Sequence, residues 1–279
     1  MNTQPDTGSK NGAGIKPKKI KVDVEDIEPH WCEDDFYRIF YNILNTAIPA
    51  FERYVIQALR AVRDDPRLED EPRLRELIDV FIRQEAEHTR QHVRTNRKIG
   101  MNKIVTAKYA EKITRFIQRT TPVYVSVAAS GFIEFVGFGF FKSHIDRQVL
   151  YNSGMQQEMA KLWKWHIAEE LEHSFIKLKV INHLDNSYWI KACGFVEGQV
   201  MAQLFVTALI PEIVWKDAKA HGKPFWPHLL MFLKGLATTE WGVDRESVGN
   251  YFSKDFDPEV KDPWVSDQID QWVMETEAA

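Results

Sequence analysis

Apolar residues recur at three- and four-residue intervals through most of the chain, and strict two-residue alternation is scarce, so the pattern predicts helices rather than strands. In residues 34–63, DDFYRIFYNILNTAIPAFERYVIQALRAVR, the positions Phe36, Ile39, Phe40, Ile43, Leu44 and Ala47 keep helical spacing, and Pro49 marks a kink or a restart. After the loop or capping segment DDPRLEDEP, residues 72–98 read as a second long helix, and residues 102–118 as a short helix in the connection that follows. Thr121-Pro122 is a candidate N-cap and N1 pair for a third long helix. A fourth spans residues 154–183, after the turn-like Asn152-Ser153-Gly154. Beyond residue 186 the pattern predicts one or two buried helices broken near Pro211, a loop at HGKPFWPH, a short helix over 228–240 and a polar tail from about 244.

The third helix is unusual. Its stretch VYVSVAASGFIEFVGFGFFK, residues 123–142, is apolar or small until its last residue except for Glu134. By length it approaches a membrane span, but a carboxylate at mid-helix opposes that reading, because in hydrocarbon it costs roughly 2.5–3.5 kcal/mol. The central helix of a bundle is apolar nearly all round for the same reason of burial. There an ionised carboxylate must be paired, hydrogen-bonded or bound to a metal. The apolar segment over 194–215 also holds an acid, Glu197, so neither is a clean span and membrane association is not the leading expectation.

Composition narrows the class. The chain has 279 residues, 44% of them hydrophobic and 27% charged, with a formal net charge of −4. That balance leaves no basic footprint for nucleic acid. With only Cys32 and Cys193, a disulfide framework is not expected and a cysteine-based zinc site is excluded; a reducing cytoplasm is the default expectation. Residues 1–19 are polar and rich in Gly and Lys, with no apolar signal core, and are expected to be a disordered tail ahead of one helical domain over 20–279.

Two of the long helices carry the same small pattern. RQEAEHTRQH places Glu85 three residues before His88, and WHIAEELEHSF places Glu170 three before His173, so each pair projects from one helix face. No other histidine has a glutamate three residues before it. Each of these helices follows one with a lone glutamate in apolar surroundings, Glu52 in PAFERYVIQAL and Glu134 in GFIEFVGF. The offsets nearly repeat, at 33 residues from Glu52 to Glu85 and 36 from Glu134 to Glu170. This is the pattern of a ferritin-like dinuclear carboxylate bundle, in which four carboxylates and two imidazoles from four helices hold two divalent cations.

Single matches have plainer explanations. Glu52 sits beside Arg53 and could be an exposed helix residue, and Glu134 could be a buried acid paired with a stray Lys or Arg, although its flanks are nearly free of charge. In EELEH, Glu169 also lies within a helical turn of His173, and the repeat with Glu85-His88 selects Glu170. Glu87 and Glu172 point elsewhere on their helices. Phe132, Phe135, Phe138, Trp163 and Trp165 read as core packing.

His166 stands one turn before Glu170, and His92 one turn after His88. At this point the chain resembles the p-aminobenzoate N-oxygenase-like di-iron oxygenases, whose fourth ligand helix carries a seventh, histidine ligand. It also resembles the bacterial family catalogued as predicted metal-dependent hydrolases, which shares RQEAEHxxxH-type and EExEH-type segments. The resemblance covers roughly residues 30–240, with the matching residues confined to four short motifs. It implies an all-α, ferritin-like four-helix bundle core with additional C-terminal helices. It also implies the ligands Glu52, Glu85, His88, Glu134, His166, Glu170 and His173. His92 goes beyond the N-oxygenase pattern, as an eighth ligand or as a group that orients one.

Mixed Glu/His coordination suits iron or manganese, and a reduced pair can deliver two electrons to dioxygen. The leading expectation is therefore two iron ions, with manganese or a mixed pair as alternatives. They would oxidise a small hydrophobic organic substrate by hydroxylation or N-oxygenation, with electrons from an external donor. Hydrolysis at a dinuclear site is the alternative, and iron handling by a ferritin-like protein a second one. A homodimer is one allowed assembly.

Overall fold

The computed structural model describes residues 20–173, 176–239 and 245–253, the side chains of 172, 173 and 245–247 excepted. The described residues are all-α, and no strand occurs among them beyond an isolated bridge between Cys32 and Met155. Helix α1 (Asp35–Val62) opens on Asp34, whose carboxylate accepts a hydrogen bond from the Tyr37 N–H at 3.1 Å. Helix α2 (Pro72–Lys98) starts with proline in its first turn, where the missing N–H costs nothing. Then follow α3 (Val105–Thr120), α4 (Val123–Asp146), the single turn α5 (Val149–Asn152), α6 (Gln157–His173) and α7 (Ile176–Leu184). The long α8 (Tyr188–Ala220) is capped by the Ser187 hydroxyl, and α9 (Phe225–Thr238) and α10 (Arg245–Phe252) complete the described helices.

Several boundaries differ from the sequence pattern, each for a local reason. Thr121 closes α3 and Pro122 is the N-cap of α4, so the expected cap pair lies one residue out of register. The helix expected over 154–183 starts at Gln157, because Gly154 takes φ +67° in the preceding turn. It is described as α6 and α7, and residues 174 and 175 lie outside the described residues. Helix α8 runs unbroken through Pro211, with Leu209, Ile210, Ile213 and Val214 buried around it, so packing overrides the proline. Helix α9 begins inside the expected loop, and α10 lies in the expected polar tail with Tyr251 fully buried. The expected tail over 1–19 lies outside the described residues.

Pro49 does not interrupt α1 either. A proline has no N–H to donate to the carbonyl four residues back, here that of Asn45. That carbonyl instead accepts from Asn96 Nδ2 on α2 at 2.5 Å, so the defect becomes a tie between two helices.

Two apolar clusters fill the interior. One gathers Trp31, Tyr41, Trp163 and Phe205, and the other Tyr54, Phe81, Phe132 and Tyr251. Phe51, the neighbour of Glu52, packs against both. Helices α4 and α8 meet closely, because a Cβ on Gly194 would lie 2.5 Å from the Ala128 Cβ and 2.7 Å from the Ala129 nitrogen. Both helices are long and apolar enough to cross a membrane. They differ in packing: 67% of the apolar stretch of α4 is buried, against 39% for α8, so α4 is a core helix and α8 keeps an apolar outer face.

Candidate metal centre

Four helices bring six of the seven expected ligands together. Helix α1 contributes Glu52, α2 contributes Glu85 and His88, α4 contributes Glu134, and α6 contributes His166 and Glu170. All six are buried. They form two groups in which one donor atom from each residue lies within 4.8 Å of the others: Glu52, His88, His166 and Glu170 in one, Glu85, Glu134 and Glu170 in the other. Glu170 belongs to both. The side chain of the seventh expected ligand, His173, lies outside the described residues.

The spacing of each motif explains the convergence. Three residues turn a helix by about 300°, so Glu85 and His88 leave α2 on one face, and His166 and Glu170 share a face of α6 at four residues. Glu52 is not the exposed residue that its neighbour Arg53 allowed. Arg53 turns outward to Glu111, while Glu52 Oε2 accepts from the Thr89 hydroxyl at 2.7 Å.

His88 is held from behind. Its Nε2–H donates to Glu169 Oε2 at 2.9 Å, which turns Nδ1 toward Glu170 at 3.5 Å, Glu52 at 3.6 Å and Glu85 at 3.9 Å. Trp165 meets the same ring edge-on, with centroids 4.7 Å apart. Burial opposes a charge on His88, but the hydrogen bonds to Glu169 and Glu170 and the charges of Glu85 and Glu52 outweigh it and raise its pKa.

His92 orients a neighbour. Its Nδ1–H donates to Asn45 Oδ1 at 2.7 Å, which leaves Nε2 as an acceptor 3.3 Å from His166 Nδ1. His166 must then carry its proton on Nδ1, which makes Nε2, 3.5 Å from Glu170, its acceptor nitrogen. Burial, and then the charge of His88, lower the pKa of His92 to about 3, so the relay from Asn45 is neutral. Of the two roles open to His92, the geometry favours holding His166, an expected ligand, in its tautomer.

The carboxylates crowd one another. Glu85 is pushed well above the ordinary range by burial and then by the charges of Glu170 and Glu134. Burial likewise lifts Glu52 to about 8, against the opposing effects of His88 and Thr89. Glu134 is raised by burial and by Glu170, with Lys177 acting the other way. Lys177, fully buried on α7, pairs with Glu134 Oε1 and sets its ammonium 4.0 Å from the Phe81 ring centroid. The pairing considered for Glu134 as an alternative therefore exists together with the cluster.

Lys177, Glu169 and Asn45 are the neighbours that the motifs did not single out. A signal existed for Lys177, a cation in the apolar run FIKLKVI one helical turn beyond His173. Nothing in the local sequence marks Asn45. Glu87 behaves as expected, bonding to Arg90 and Gln91 on its own helix.

Convergent Glu and His donors in a buried pocket suit divalent cations, whose charge would offset acids that burial alone disfavours. The cluster also opens onto a cavity of about 220 Å³ between α1, α4 and α8. Its walls include Phe40, Ile43, Phe132, Val136 and Val206, and among the described residues Gln199 is the one lining polar side chain outside the cluster.

Comparison with curated proteins finds no match, and neither does comparison with solved structures. A family model does match, over residues 16–262, which is most of the chain. With its buried Glu/His cluster, the chain belongs to the family described as predicted metal-dependent hydrolases.

Proposed function

We propose that the Glu/His cluster is a dinuclear metal centre and that the chain is a metal-dependent hydrolase acting on an apolar substrate. The observation that carries this reading is the sharing of Glu170 by two donor groups, one with Glu52, His88 and His166, the other with Glu85 and Glu134. The family description supports hydrolysis as the reaction. Two divalent cations there would supply Lewis acidity for hydrolysis or, as iron, electrons for dioxygen.

The chain's own contribution is positioning. Glu169 aims His88 Nδ1, the Asn45–His92 pair aims His166 Nε2, and Lys177 partly neutralises Glu134. The apolar walls hold the substrate's body and keep bulk water from the reacting end.

A second reading is dioxygen-dependent hydroxylation or N-oxygenation at two irons, with an external electron donor in a cytoplasmic enzyme. The near absence of polar groups on the cavity wall favours it, because such a wall offers few donors for an ester or phosphate. Metal analysis comes first, followed by two assays. Oxygen-independent, metal-dependent cleavage of apolar nitrophenyl esters supports hydrolysis. Two irons per chain with a transient visible absorption on mixing the anaerobic ferrous protein with dioxygen support oxidation instead. Failure to load iron, manganese or zinc stoichiometrically overturns both.

A further inference from the structure

Resting on the reading of the cluster as the reacting centre, we infer that the cavity is a groove for an unbranched, chain-shaped apolar molecule, held with one end at the metal ligands and its body along α1. The first ground is shape. Along α1 the lining runs from Phe40 to Val55, and Glu52 lies near one end. At 1.5 Å per residue, the twelve residues from Glu52 back to Phe40 span about 18 Å. Helix α4 runs antiparallel beside it, since the Tyr54 hydroxyl reaches the Ser126 carbonyl while Phe40 meets Phe140 at 5.3 Å between centroids, six residues beyond Glu134. Leaving the acids toward Phe40 on α1 is therefore leaving Glu134 toward Phe140 on α4, and the groove extends toward that end of the bundle.

The second ground is chemistry. Among the described residues, the charged and imidazole groups are at one end, in Glu52, Glu85, Glu134, His166 and Glu170, while the rest of the wall is aliphatic or aromatic except for Gln199. A ligand with hydrogen-bonding groups along its body would leave them unpaired there.

The third ground is the width. Gly137 and Ala202 line the groove from opposite helices, α4 and α8, and contribute almost no side chain. Gly137 is not required by packing, since a Cβ there would meet only the Phe141 ring, at 3.8 Å. This differs from Gly194, where helix contact leaves no room. The mouth lies along α8, where Gln199 and Val206 are exposed.

The test is calorimetric binding of straight-chain alcohols, from butanol to decanol, to the full-length metal-free protein under argon. Each added methylene buried in the groove raises affinity about fourfold, the ratio for roughly 0.8 kcal/mol. Gly137→Phe and Ala202→Phe, which fill the groove from either side, abolish the chain-length dependence while circular dichroism and metal stoichiometry stay as in the wild type. Wild-type affinity that ignores chain length overturns the groove, as does a length dependence that survives both substitutions in folded protein. Loss of metal loading or of turnover with the length dependence intact defeats the proposed reaction and leaves the groove standing.

Discussion

Lys177→Met in the metal-free protein separates the electrostatics of the cluster from its packing. Methionine keeps the apolar stem of the lysine and removes the ammonium that pairs with Glu134 and lies over Phe81. Removing one partner of a buried ion pair costs about 3–5 kcal/mol, because the other charge stays buried. Glu134 can escape that cost by binding a proton, and burial already raises its pKa above the ordinary 4.5. A raised pKa means that the folded state holds the proton more tightly than the unfolded state, so stability from this group is present at low pH and falls as pH rises through the folded pKa. The substitution removes the opposing effect of Lys177 and raises the pKa further. The stability difference between variant and wild type should therefore widen as pH rises from the wild-type folded pKa to that of the variant, by at most about 1.4 kcal/mol per unit. It is smallest at acid pH and reaches about 3–5 kcal/mol at alkaline pH. Urea unfolding of both chelator-treated proteins across that range measures it. A difference independent of pH, or one below about 1 kcal/mol at the alkaline end, would refute the pairing as drawn.

Other expected outcomes follow from single contacts. Glu170→Ala should weaken both metals, whereas Glu52→Ala should weaken one more than the other; metal titration followed by mass spectrometry of the native protein distinguishes them. His92→Ala and Asn45→Ala should each lower metal affinity about 10–100-fold, and the double variant should lose little more, because both act through the His166 tautomer. Gly194→Ala should cost about 1–3 kcal/mol in urea unfolding, since its Cβ would press on Ala128 and the Ala129 backbone. Asp217 accepts Arg38 Nε at 2.8 Å and His228 Nε2 at 2.7 Å, and these bonds outweigh burial to hold its pKa below the ordinary 3.8. Its stabilisation is present above that value and lost as pH falls. Asp217→Asn should therefore flatten the acid limb of a melting-temperature profile and cost about 3–5 kcal/mol at neutral pH.

Much of the buried cluster was legible because its donor residues sit on helices, where spacing determines facing. Glu85 with His88, and His166 with Glu170, needed only the helical repeat, and Glu134 declared itself as a lone acid in an apolar run. The supporting groups were less legible because they reach the site through tertiary packing. Lys177 comes from α7 to a carboxylate on α4, and Asn45 from α1 to an imidazole on α2. Their local surroundings resemble any buried helix. Prolines misled in the same way: Pro49 and Pro211 are strong local breakers, and both are carried inside helices whose neighbours supply the compensating contacts. The groove left only faint marks, since a glycine that packs and a glycine that makes room look alike in a sequence.

The proline in α1 has a consequence for how the helices find their register. An uninterrupted helix offers its neighbour a uniform backbone, and two such helices can slide by a turn with little to stop them except side-chain fit. Pro49 leaves the Asn45 carbonyl open, at one height along α1, and Asn96 on α2 fills it. The same Asn45 carries the side chain that holds His92. A backbone vacancy thus works as an alignment pin, indexing the α1 acid to the α2 imidazoles before any metal arrives. Pro49→Ala would close the vacancy, improve α1 as an isolated helix and strand the Asn96 amide. The expected result is a protein no less helical that binds metal less uniformly.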